Sequence, residues 1–434
     1  MSKKVVIIGA GPSGVLLAHY LLRRDNQYQV TIYERRSDPR LMSFSNARTF
    51  PISLNDRGTD ALYQIPNVEA AVKRVSLEMY GTVFHQAGKT RVTTRERPLV
   101  TLDRTNLVIL LLELLQAYDN NRLNLYFNHQ CTQVNLEAKT ATIQSLTAGE
   151  NHTVPYDLLI GADGSHSIVR TAFLIHDLFE FEQKYVLNDY KSIFLAHPQA
   201  HPEIKLEAGK IHSWRTNDGT FIVLLHQYDG TMGGVILFPR QHNQVAQLAS
   251  CEDVLQYFQQ HFPEVGQMMT EAEAEAFLKR PIARVLTTSC SHYHYSDSVL
   301  LIGDAIHAVS PAIGQGCNAA LEDVAILNSL LNETGDDLKI ALEQFTLRRK
   351  KDAHALTELS NYSFPSSTRL FIEFILREQL GKLLHRLLPQ QCPPPLSQLV
   401  FETTVPYAEI LRMYQPWITK VKRATERQQN QPMN

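Results

Sequence analysis

Cysteine is sparse. Five residues, Cys131, Cys251, Cys290, Cys317 and Cys392, are scattered over 434 positions, and the nearest two, Cys290 and Cys317, stand 27 apart. That spacing excludes a CxxC redox motif, a zinc cluster and a disulfide framework, and isolated thiols fit a reducing compartment. A surplus of either charge is missing as well: 42 Lys and Arg face 44 Asp and Glu, for a formal net charge of −2. Nucleic-acid binders normally carry a basic surplus on their binding face, so no nucleic-acid partner is expected. Long apolar runs are also lacking. The longest, Leu107 to Leu115, is interrupted by Glu113, far short of the roughly 20 residues of a membrane span. No signal peptide precedes the first apolar segment, Val5 to Ile8. These absences predict a soluble, cytoplasmic protein with no transmembrane segment, no repeats and no metal site.

The segment KVVIIGAGPSG carries Gly9, Gly11 and Gly14 as GxGxxG between an apolar strand and a helix starting near Val15. In such a unit the first glycine makes the tight turn, the second lets a pyrophosphate approach the backbone, and the third allows close helix packing. Pro12 and Ser13 lie within the turn, where the helix N-terminus presents unpaired N–H groups to phosphates. A second strand, QVTIYE, ends at Glu34, 20 residues after Gly14 and next to Arg35. A carboxylate there accepts from ribose hydroxyls and disfavours a 2′-phosphate. This unit predicts a dinucleotide site without separating FAD from NAD.

Two further motifs follow. LLIGADGSHSIVR sets Asp163-Gly164 at a strand end; alone, it reads equally well as a strand–turn–helix with a capping serine. LIGDAIHAVSPAIGQGCNAALED places Asp304 at the end of a buried strand, Pro311 in a stiffened loop, and Gly314, Gln315 and Gly316 before a helix bearing Asn318. A carboxylate beside a glycine-rich helix start suits a polyol hydroxyl, while the N–H groups face an anionic ring.

The three motifs in this order resemble the group A flavoprotein monooxygenases, which have the para-hydroxybenzoate hydroxylase fold. Within them the chain is most similar to the kynurenine 3-monooxygenases, through ARTFPISLNDRGTDAL (47–62), TLDRTNL (101–107), HYHYSDSVLLIGDAIHA (292–308), ELSNYSF (358–364) and VPYAEILRMYQPW (405–417). The resemblance implies an α/β fold: a Rossmann-like FAD/NAD(P)-binding domain, an inserted antiparallel-sheet substrate domain and a helical C-terminal region. The FAD-binding domain would comprise 1–75, 101–175 and 284–332, with substrate-domain strands at 76–100, the sheet-rich domain at 176–283 and the helical region at 333–434. It implies FAD as cofactor, NADPH or NADH as a transient electron donor, and a small aromatic substrate with O2. Oxygen would transfer through a flavin C4a-hydroperoxide, so no side chain is an obligatory catalyst. Arg48 and Arg104 would be flavin contacts, Asp304 would meet the ribityl chain or pyrophosphate, and the protein would be a monomer or homodimer.

Departures from the family pattern fall where substrate should sit. Thr82 stands where relatives have a carboxylate-binding arginine, and Pro98 where they have its tyrosine partner. Pro365 lies near the position of a glutamate, and Ala312-Ile313 replaces an aromatic pair; Asn361 and Tyr407 are retained as substrate-side candidates. A carboxylate entering a pocket without its arginine loses a charge-assisted bond and still suffers desolvation. A different aromatic or heteroaromatic substrate is therefore expected, with Arg91, Arg95 or Arg97 open as a replacement clamp. The alternatives are a halogenase or prenyl-chain reductase on the same fold, or a non-catalytic flavin scaffold. With only Trp214 and Trp417, the halogenase WxWxIP pattern is absent. His307 reads as a packed loop histidine, and residues 369–388 as a core-facing helix closing a pocket, with a membrane-surface helix as the alternative.

Overall fold

In the computed structural model, described for residues 2–24, 27–42, 51–86, 89–118, 121–175, 179–196, 204, 206–241, 243–365 and 367–429, the apolar strands stack side by side. Their order in one six-stranded sheet is His294–Tyr295, Val299–Leu301, Leu158–Gly161, Lys3–Ile8, Tyr28–Glu34 and Leu123–Phe127. Ile7 pairs in parallel with Ile160 on one side and Ile32 on the other, and only the His294–Tyr295 edge runs antiparallel. Strands buried on both faces need continuous apolar character, which Leu158–Gly161 shows at every position. The Pro12–Leu22 helix packs against this sheet, Arg104–Leu115 and Gly316–Glu333.

The second sheet has eight strands, ordered Ala283–Cys290, Phe181–Leu195, Met232–Pro239, Phe221–His226, Lys210–Arg215, Leu77–Gln86, Lys89–Asp103 and Pro51–Leu54. It is antiparallel except where Lys210–Arg215 runs parallel to Leu77–Gln86. Alternation divides its faces. Ile193, Trp214, Ile222, Leu224, Ile236 and Phe238 pack against three helices, Cys251–His261, Pro263–Met268 and Glu271–Lys279. Residues such as Thr82, Tyr190, Ser192 and Ser213 turn the other way, onto a cavity. Those three helices add a helical layer to the segment 176–283, read as sheet-rich. Val254, Tyr257 and Phe258 have helical spacing, and Ser250 and Asp253 form a capping box. Pro51–Leu54, within a stretch that reads as polar and turn-rich, joins the sheet edge.

The C-terminal region is helical, as Leu338–Tyr362, Thr368–Leu387, Leu396–Glu402 and Tyr407–Gln429. Its core joins Leu356, Leu359, Tyr407 and Trp417 to Ile313 of the glycine-rich loop. The Thr368–Leu387 helix is core-facing on one side only, where Phe374 joins the buried cluster. Phe371, Phe374 and Ile375 line the cavity, while Ile372, Leu376, Leu380 and Leu387 are exposed, Leu387 at 66%. Among the described residues no helix is long and apolar enough to cross a membrane.

Candidate active site

The glycine turn separates two constraints. Gly9 has φ +104°, and a Cβ there would lie 2.4 Å from the Ala162 carbonyl oxygen. A Cβ on Gly14 would lie 2.2 Å from the carbonyl oxygen of Gly9. Both glycines are demanded by the protein's own packing. Gly11 caps the Pro12–Leu22 helix with nothing within 4 Å of a Cβ, so no protein contact requires glycine there. A phosphate-bearing group lying on the turn would. Glu34 is oriented by two backbone donors, Ala10 N–H to Oε2 and Arg36 N–H to Oε1, each at 2.9 Å. Arg35 is exposed beside it on the cavity rim.

Asp163-Gly164 and the Asp304 turn are tied by one buried guanidinium. Arg170 donates to Ser165 O at 2.7 Å and to Ala305 O at 2.8 Å. Asp163 Oδ2 accepts from the Ile168 and Val169 N–H groups, whereas its Oδ1 is buried without a partner. Burial pushes this carboxyl up despite those donors. An open acceptor beside the glycine turn suits a cofactor hydroxyl. Asp304 opens onto the cavity with protein packed around it. Although its side chain is exposed to the cavity, the protein crowded around it pushes its carboxyl up, while His307 and Arg104 pull it down. Arg104 also lines the cavity; Arg48 lies outside the described residues.

Beneath Asp304, Asp323 accepts from Gly303 N–H at 2.8 Å, His307 Nε2 at 2.7 Å and Arg349 Nε at 2.7 Å. Burial alone raises the Asp323 carboxyl, but His307 and Arg349 outweigh it and hold the group below its ordinary value. Burial lowers His307, and Asp323 more than reverses this, so the imidazole ends raised. A raised histidine contributes fully below its unfolded value of ~6.5 and fades as pH climbs through the folded one. A depressed aspartate contributes fully above ~3.9 and fades as pH falls. Thermal melts across pH should therefore place this pair's best stabilisation between about 4 and 6.5, with His307→Gln flattening the alkaline side.

The glycine-rich loop is held from below. Gln315 Oε1 accepts from Tyr407 Oη at 2.9 Å and from Asn55 Nδ2 at 3.2 Å. Asn318 Oδ1 accepts from Asn55 N–H at 3.0 Å, and Asn318 Nδ2 donates to the Ser53 and Gly314 carbonyls. Arg57 lies 4.1 Å from the Tyr407 ring centroid, pairs with Glu322 at 2.8 Å and donates to Val405 O. Tyr407, read as a substrate-side candidate or equally as a packing tyrosine, is fully buried under the loop, with its hydroxyl donating to Gln315. Tyr407→Phe should cost about 1 kcal/mol of stability and speed FAD release, leaving substrate KM nearly unchanged; a selective KM rise would reinstate the substrate role. Asn55 and Arg57 lie within the ARTFPISLNDRGTDAL segment, where nothing marks them among their neighbours, and Arg349 lies outside every motif, so sequence reasoning singled out none of the three.

One cavity of about 2790 Å³ runs past Gly9, Gly11, Pro12, Ser13, Glu34, Asp163, Gly164 and Asp304. Pro311, Ala312, Ile313, Gly314 and Gly316 form its loop wall, and it continues to Thr82, Asn361 and Pro365. Gln315 and Asn318 support that wall from behind, Gly14 packs behind the first glycine turn against Gly9 and Ala162, and Pro98 sits off the cavity. Single-ligand pockets are roughly 300–1,000 Å³, so this space accommodates a large cofactor and a second molecule together.

Comparison with known proteins places these features. A family model described as FAD binding domain matches residues 2–360. Kynurenine 3-monooxygenase of Drosophila willistoni is 30% identical over 94% of this chain and 89% of its own length. The Sus scrofa enzyme of the same name is 28% identical over 96% and 87%. Among solved structures, 2-methyl-3-hydroxypyridine-5-carboxylic acid oxygenase superposes with TM-score 0.69 at 20% identity, covering 83% of this chain and 90% of that one. Pseudomonas aeruginosa PqsL superposes with TM-score 0.65 at 20% identity, covering 83% and 95%. These two likenesses establish the fold.

Proposed function

The chain belongs to the FAD-binding domain family, as an FAD-dependent monooxygenase of the kynurenine 3-monooxygenase type, and on that premise we propose that it hydroxylates an aromatic or heteroaromatic small molecule other than kynurenine. The observation that carries this reading is a cavity that, among the described residues, runs unbroken from the cofactor motifs to the inserted sheet. Bound FAD, reduced by NADPH or NADH, supplies the activation of O2. The chain's own residues bind, orient and exclude water. The turn at Gly9 to Gly14 would hold the pyrophosphate, Glu34 a ribose, and Asp163 and Asp304 the cofactor's hydroxyls. The N–H groups opening the Gly316–Glu333 helix would face the isoalloxazine, whose reduced form is anionic.

On the substrate side, Thr82 in place of the family's arginine, Pro98 in place of its tyrosine and Pro365 near its glutamate argue against the family's own arrangement of the amino-acid carboxylate clamp. Ala312 and Ile313 leave more room than an aromatic pair, and Asn361 contributes an amide to the cavity lining. The decisive experiment purifies the protein and identifies FAD by absorbance. NADH and NADPH oxidation is then followed against a panel of aromatics under 18O2. A product heavier by one labelled oxygen supports hydroxylation. Flavin that stays redox-silent with every compound defeats the enzyme reading.

A further inference from the structure

The Leu77–Gln86 and Lys89–Asp103 strands pair Gly81 with Thr94, and then Met79 with Leu99. Tyr80 on one strand is therefore opposed by residues 95–98 on the other, a wide irregularity that accommodates Pro98. Bulges redirect side chains, often beside active sites. Here the redirected side chain is Arg95. Its Nη2 donates to Thr82 Oγ1 at 3.1 Å, and its guanidinium carbon lies 5.6 Å from the Phe401 ring centroid. Its Nη1 is buried with no hydrogen-bond partner, and Arg95 makes no ion pair among the described residues. Glu402 accepts from Glu96 N–H at 3.2 Å and stands only as a more distant countercharge.

A guanidinium stays charged in proteins, and a buried charged donor without a partner is costly until something accepts from it. The two other candidate arginines differ. Arg97 pairs with Asp56, and Arg91 is exposed; neither lines the cavity, whereas Arg95 does. Phe401 links this corner to the rest of the pocket, because the same ring lines the cavity together with Ile313, Phe364 and Phe374. An anionic group at Arg95 therefore places an attached ring along aromatic walls leading to the glycine-rich loop.

We infer that Arg95, displaced one strand from the family's position and seated by Thr82, is the anion anchor for a carboxylate-bearing aromatic substrate. Arg95 offers its fork to the carboxylate, and the Thr82 hydroxyl, which accepts from Arg95, keeps its own proton to donate. This assignment rests on the flavoprotein reading above.

The test titrates the FAD-loaded enzyme, by flavin absorbance, with aromatic carboxylates and their uncharged amides: anthranilate with anthranilamide, nicotinate with nicotinamide, 3-hydroxybenzoate with 3-hydroxybenzamide. At least one acid should bind ten-fold or more tightly than its amide. Arg95→Met should weaken that acid by roughly 10- to 100-fold, the loss of a charged hydrogen bond, leaving amide binding and FAD content unchanged. Arg95→Lys should restore part of the preference. An acid preference that survives Arg95→Met, or no preference in any wild-type pair, overturns the assignment. Failure of the purified protein to hold FAD would instead overturn the flavoprotein reading, and the two failures are distinguishable at the first spectrum.

Discussion

Arg349→Met should be among the most damaging single substitutions in this protein, costing about 3–5 kcal/mol, as expected for removing one partner from a buried ion network. Arg349 is 1% exposed, and it reaches Asp323 at 2.7 Å, Glu322 at 3.0 Å and Asp352 at 3.4 Å. Methionine would fill most of its volume yet leave Asp323 with only His307 as a cation. Because Asp323 also holds the Gly303 N–H, the Asp304 turn should loosen and FAD should dissociate more readily. Arg348→Met, one residue away in an exposed pair with Glu333, should cost no more than about 1 kcal/mol. Thermal melts with and without added FAD would measure both variants. An Arg349→Met protein as stable as Arg348→Met would refute the network's importance, and partial recovery in Arg349→Met/Asp323→Asn would identify uncompensated charge as the cause.

Gly9→Ala and Gly11→Ala should fail in different ways. At Gly9 the positive φ and the 2.4 Å approach to the Ala162 carbonyl make any side chain strained, so the apo-protein itself should be destabilised and FAD content should collapse. At Gly11 a methyl meets no protein atom within 4 Å, and the apo-protein should melt as wild type does. Its loss should appear only in FAD binding, as the methyl occupies space that the pyrophosphate needs. Apo melting temperatures and FAD-to-protein ratios separate the two. An unaltered FAD ratio in Gly11→Ala would remove the phosphate from this turn.

The cofactor half was legible because its requirements are local. A strand, three glycines at fixed spacing and an acidic strand end declare themselves within some 30 residues, as does the run from Asp304 to Asn318. The helices at 251–279 were hidden by strand-like neighbours on both sides, although their capping box was present in the sequence. Arg95 could not be selected from Arg91, Arg95 and Arg97, because the choice depends on how the 95–98 irregularity turns the strand, which residue spacing does not encode. Tyr407 shows a third kind of limit. A retained tyrosine in an apolar context suits a substrate contact or a buried support equally well. Only its 2.9 Å bond to Gln315 distinguishes them.

That bond also bears on how the protein is made. Asn55, Gln315 and Tyr407 meet in one polar knot, although the chain delivers them at widely separated moments of synthesis. Domains emerge from the ribosome N-terminal first, so the glycine turn and its sheet can form long before the last member of the knot exists. The loop at Gly314 to Gly316 waits for Tyr407 before its supports are complete. Stalled or prematurely terminated chains should therefore present a nucleotide cradle without a finished seat for the isoalloxazine, and cofactor loading becomes a late event in the life of each molecule.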